Sequence, residues 1–252
     1  MTRYPVNFVA SFAQMFFIVA IFTLAGLTFS SSGKSSLEVS GVTTYGFILF
    51  IYVTDTLWTI GYNIRREQIE GTLEQLYLSP ASKFANLVSR VANVLIWTTL
   101  LVISSIFVMR FLLGGLPFEN IGLALYLLVM SLLGTFGVGF AFAALTLRIK
   151  ETASTVVNFL QFGLMIFCAM FFPFAALPDV IVWISRIIPL SYSVDAFRST
   201  LMGYPPGFPE LVSIETEIII VTVFGLVMPF LGYLLYRSAE NVARRKGSLA
   251  EY

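Results

Sequence analysis

Polar residues interrupt this chain at long intervals. Uncharged apolar runs of spanning length occur at 8–29, 42–62, 91–109, 121–147, 152–172 and 218–236, and Asp55 alone interrupts the second. A bilayer core takes roughly 20 apolar residues per helix, so each run predicts one membrane-crossing helix and residues 1–252 read as a single transmembrane domain. Only two of the connecting segments, 63–90 and 173–217, are long enough to hold structure of their own. The first run follows Arg3 as a secretory leader would. Its about 22 uncharged residues exceed a leader's apolar core, and comparable runs follow, so it reads as a retained first helix.

Composition agrees with lipid as the solvent. Of 252 residues 58% are hydrophobic and 12% charged, and the mean hydropathy is +0.87, far from a soluble domain. The net charge of +1 is uninformative, but its distribution is not. With the N-terminus inside, the inner segments carry Arg3, Arg65, Arg66, Lys83, Arg90, Arg148, Lys150, Arg237, Arg244, Arg245 and Lys246. The outer ones carry Lys34, Arg110, Arg186 and Arg198. Cations collect on the cytoplasmic side of membrane proteins, which predicts an all-α, multi-pass protein of the cell membrane (inner or plasma) with six helices and both termini cytoplasmic. The Arg244, Arg245, Lys246 cluster fits either this marking or a contact with anionic lipid.

Candidate chemistry is sparse. The chain has no histidine and one cysteine, Cys168, so the commonest general base and the usual zinc or haem ligand sets are missing. Catalysis, a metal site and a disulfide are not expected, and nothing points to nucleic acid. Asp55 is the exception, an acid roughly 10 Å from the inner end of its helix at about 1.5 Å per residue. A carboxylate at that depth needs water or a partner, so it is a pathway candidate, with a structural pair or a solvated vestibule as the alternative. Asn93, Asn158 and Gln161 read as interhelical hydrogen-bonding groups or pathway lining. Gly134, Gly137 and Gly139, with Gly225, Pro229 and Gly232, suit close helix approach, or a moving helix.

The inner loop is periodic. Ile69, Leu73, Leu76 and Tyr77 recur at helical spacing, Glu67, Glu70 and Glu74 line the other side, and Pro80 ends the run. Gly71 in its middle costs roughly 1 kcal/mol relative to alanine, which a docked partner would justify; a helix lying on the membrane interface is the other reading. The outer segment 173–217 is too apolar for a solvated loop. Irregular backbone at membrane depth survives only when protein covers it or it lines a cavity, which predicts short re-entrant helices broken at Pro173, Pro178 and Pro189, with Asp195 and Arg198 three residues apart and able to pair.

These two segments resemble a known family, the permease subunits of type-2 ATP-binding-cassette (ABC-2) exporters. EGTLE at 70–74 followed by Ser79 and Pro80 is similar to the family's first cytoplasmic loop. FFP at 171–173, LP at 177–178 and PLSYSVDAFR at 189–198 are similar to its stretch between helices five and six. The resemblance spans roughly residues 4–236; it departs at the N-terminus, where only about seven residues precede Phe8 and leave little room for the family's entry helix. It implies a half-transporter: a second permease chain, identical or related, completes the pathway, and separate ATPase subunits carrying ATP and Mg drive it. The loop then becomes a coupling helix, with Ile69, Gly71, Leu73 and Leu76 against the ATPase and Glu67, Glu70 and Glu74 at the contact's edge. The chain has no phosphate-binding Gly-x-x-x-x-Gly-Lys-Ser/Thr loop of its own. A stand-alone carrier or channel is the alternative.

Overall fold

The computed structural model describes residues 36–62, 116–146 and 153–245, with scattered helical residues within 9–24 and 88–107. Among the described residues there is no strand. Helix α1 (Ser36–Leu57) ends in a π-helical turn, Trp58–Tyr62; α2 is Ile121–Thr146 and α3 Ala153–Phe167. A 3-10 turn (Phe174–Ala176) leads to α4 (Asp179–Ser185), α5 (Pro189–Leu201) and the long α6 (Ile214–Arg245). Two stretches, Ile121–Leu145 and Ile214–Val242, are long and apolar enough to cross a membrane, and α4 with α5, bent by 97°, counts as a third if the pair is one span. At about 1.5 Å per residue α6 is roughly 48 Å long, so it outruns a hydrocarbon core of about 30 Å.

Contacts fix the directions of the helices. Tyr126 meets Thr222 through their hydroxyls at 2.7 Å, and Gly134, Gly137 and Gly225 of this pair abut Phe224, Met228 and Met130. Residue numbers rise together, so α2 and α6 run parallel. Along α1, Tyr45 donates to the Pro117 carbonyl and Gly139 of α2 lies against Ile60, again parallel. Helix α3 runs the other way: Trp58 Nε1 donates to Gln161 at 2.9 Å, while Gly46 touches the Met170 carbonyl. Glycine permits these approaches, because a Cβ at Gly137 or Gly232 would overlap the facing backbone. The outward sides of the bundle are apolar, as on α6, where Ile219, Val223, Leu226 and Phe230 recur at helical spacing and are all more than half exposed. This is the pattern of a surface solvated by lipid.

Element ends depart from the hydropathy reading where protein replaces lipid. Helix α1 starts at Ser36 rather than 42, and protein covers it from Gly41 onward: Gly41 faces Met202 and Thr43 donates to the Phe171 carbonyl at 3.4 Å. Helix α3 stops at Phe167 although apolar residues continue to 172. Ala169 takes φ 49°, a left-handed turn that ends a helix. Helix α6 extends past 218–236 at both ends through polar residues, which water or protein can solvate. Of the expected spans 8–29 and 91–109, the described residues are scattered helical positions.

Candidate functional site

The segment after α3 folds into a hairpin whose breaks coincide with prolines. Pro173 precedes the 3-10 turn, Pro178 precedes α4 and Pro189 is the first residue of α5, where a fixed φ and a missing N–H cost nothing. Ser185 and Ser191 both donate to the Phe167 carbonyl, the latter at 3.5 Å, so the α4–α5 turn sits level with the end of α3. The far end of α5 is level with the start of α2, where the Glu119 N–H donates to the Leu201 carbonyl at 3.0 Å. Gly203, φ 73°, stops α5 in a turn closed by the Tyr204 N–H to the Ser199 carbonyl at 3.0 Å. That is the six-to-one bond of a left-handed helix stop.

Residues Leu190 to Leu201 of α5 are all buried, although half of them are polar. Arg198, 0% exposed, organises the polar part. Its Nη2 donates to the Ala169 carbonyl at 2.6 Å and its Nη1 to Phe172 at 3.0 Å, and the guanidinium stands 5.8 Å from the Phe174 ring centroid, within cation–π range. These carbonyls lie just past the end of α3, where a helix leaves acceptors unpaired and favours a cation.

Asp195 faces the opposite way. Its Oδ2 accepts the Glu210 and Leu211 N–H groups at 2.7 and 2.8 Å. The direct Asp195–Arg198 pair suggested by their spacing is therefore replaced: each side chain reaches a different stretch of backbone, and the guanidinium feels Asp195, Glu210 and Glu217 only through the field. Glu217 is fully buried, and neither of its oxygens has a hydrogen-bond partner in good geometry. Glu210 accepts the Ala175 N–H at 2.6 Å. Burial pushes its carboxyl above the usual range, against that bond and the Arg198 field. Sequence spacing missed Glu210 and Glu217, which reach the cluster only through the fold. Beside it, Glu210 and Asp179 line a cleft of about 340 Å³.

Asp55 is half-buried on α1 and accepts the Thr98 hydroxyl; one turn away Tyr52 shares a 2.6 Å hydrogen bond with Thr99. Among the described residues no cation pairs with it. Asp55 lies apart from the Arg198 cluster, ten positions beyond Tyr45 along α1. At the level of Asp55, lined on α1 by Val53 and Leu57, is an apolar chamber of about 220 Å³ bounded by α1, α2, α3, α5 and α6. The coupling-helix residues Glu67, Ile69, Glu70, Gly71, Leu73, Glu74 and Leu76 lie outside the described residues.

With parallel glycine-packed helices and a buried polar hairpin in place, the comparison with known families decides the class: residues 34–235 match the family model described as ABC-2 family transporter protein. The chain belongs to that family. No curated protein matches it. The match begins just before α1 and ends in α6, so it takes in the hairpin and most of the α2–α6 contact. The permease is a membrane protein, and the elements described above form its membrane domain.

Proposed function

We propose that this permease is the transmembrane subunit of an ABC exporter, with six spans and both termini cytoplasmic, working beside a second permease chain in the cell membrane. Separate ATPase subunits bind ATP and Mg and engage the helix within 63–80. The observation that carries the reading is the family match over 34–235. The directions of the described helices support the topology: α1, α2 and α6 run one way and α3 the other, as spans two, four and six against span five require. The hairpin 173–201 re-enters the membrane on this reading, which agrees with its tip lying level with the end of α3 and its polar groups being covered by protein. Asp55 is the pathway candidate.

The direct test is isolation from the native host in mild detergent, with an ATPase expected to copurify. Recovery of the permease alone, with transport driven by an ion gradient and not by ATP, supports a carrier or channel instead. Leu73→Asp and Leu76→Asp are expected to weaken ATPase association at least tenfold, the scale of about 1.4 kcal/mol, with membrane insertion unchanged. Full association in both variants removes the coupling assignment.

A further inference from the structure

We propose that the chamber between the helices is a hydrocarbon-binding site, filled in the membrane by the end of a lipid acyl chain. Its volume is about 220 Å³. A dry apolar cavity of about 150 Å³ already takes benzene or xenon, so this one holds a ring of that size or a short alkyl stretch. The wall comes from Val53 on α1, Val138 on α2, Leu164 on α3, Leu190 on α5, and Phe224 and Met228 on α6. All are apolar. Thr135 also lines it, but its hydroxyl donates to the Ser131 carbonyl at 2.8 Å. A water needs two to four polar partners, which this wall does not offer; a headgroup or a polar cargo is excluded for the same reason.

An acyl chain end is apolar throughout and surrounds the bundle. Pro189, at the chamber's edge, is exposed. On α6 the lining residues Phe224 and Met228 each stand three positions before an exposed apolar neighbour, Val227 and Leu231. The wall is thus continuous with surface that lipid tails cover. The site is built within one chain and stands independently of the exporter reading: it requires neither an ATPase nor a second permease chain.

The test uses the full chain in nanodiscs of phosphatidylcholine with a photoactivatable diazirine at the end of one acyl chain, adducts being mapped by mass spectrometry. Adducts at Leu164, Leu190 and Met228 are expected at least about fivefold above those at Phe159, which is 77% exposed, and excess decane is expected to reduce them about fivefold by mass action while sparing Phe159. Val138→Phe, which fills the chamber, is expected to act as decane does. Chamber adducts no more abundant than those at Phe159, or insensitive to decane in the unaltered protein, overturn the proposal whether or not the variant folds.

Discussion

Replacing Arg198 with methionine keeps the length of the side chain and removes its donors. Two carbonyls, the buried one of Ala169 and the part-buried one of Phe172, then lose their partners, at up to about 1–3 kcal/mol each. The acids around the guanidinium lose their one compensating charge, and breaking a buried charge set from one side costs about 3–5 kcal/mol. These terms overlap, so the expected loss is about 3–5 kcal/mol in total, a large part of the roughly 5–15 kcal/mol that holds a domain together. Reversible unfolding in mixed micelles, titrated with SDS, measures it. Arg198→Lys keeps the charge but gives up the planar fork that spans two acceptors, and is expected to recover about half of the loss. In a double-mutant cycle, Arg198→Met with Asp195→Asn, the acid whose field acts most on the guanidinium, should show a coupling of about 0.5–3 kcal/mol. An Arg198→Met variant within about 0.5 kcal/mol of the unaltered protein would mean that water or a shifted side chain satisfies the carbonyls, and the clamp would not be what holds the hairpin.

Three further outcomes are open to measurement. Gly232→Leu drives a side chain into the Gly137 backbone and is expected to part α2 from α6 and destabilise the bundle by about 1–3 kcal/mol or more, read in the same titration. Glu210 carries a raised pKa, so its protonated form is the one the fold favours. Stability from this group is full below the ordinary carboxyl value of about 4.3 and declines as pH rises through the raised one; Glu210→Gln should flatten that part of the pH–stability profile. Asp55→Asn keeps an acceptor for the Thr98 hydroxyl and is expected to unfold within about 0.5 kcal/mol of the unaltered protein, so any loss of transport measures the charge rather than the scaffold. A large loss of stability would show that the charge holds the fold.

Hydropathy located α2 almost to the residue, because lipid surrounds much of it and its ends are marked by Asn120 and Arg148. It placed the start of α1 too late because that end packs on protein, which accepts Ser40, Thr43 and Thr44 as readily as apolar residues, and the end of α3 too late because the left-handed turn at Ala169 leaves no mark in hydropathy. Prolines marked the hairpin's breaks, since a fixed φ acts locally. The role of Arg198 was not legible. Its position three residues from Asp195 suggested a pair along one helix, whereas its partners are carbonyls 26 and 29 positions upstream, and backbone acceptors leave no signature in side-chain identity. Glu210 and Glu217 lie 12 and 19 positions beyond Arg198, with no helical spacing that points back to it. The chamber was invisible for a related reason: apolar residues that line a void and apolar residues that fill a core look alike in sequence.

The clamp also makes one part of the fold depend on chain that follows it. Helix α5 binds backwards to the turn after α3 through Arg198, and forwards to residues 210 and 211 through Asp195. When the ribosome has made α5 but not yet the segment beyond it, Asp195 has only water to turn to, and the helix is poorly suited to hydrocarbon. The polar face of α5 is therefore fully covered only once the segment leading into α6 is in place. Chain made later thus completes the hydrogen bonding of a helix made before it.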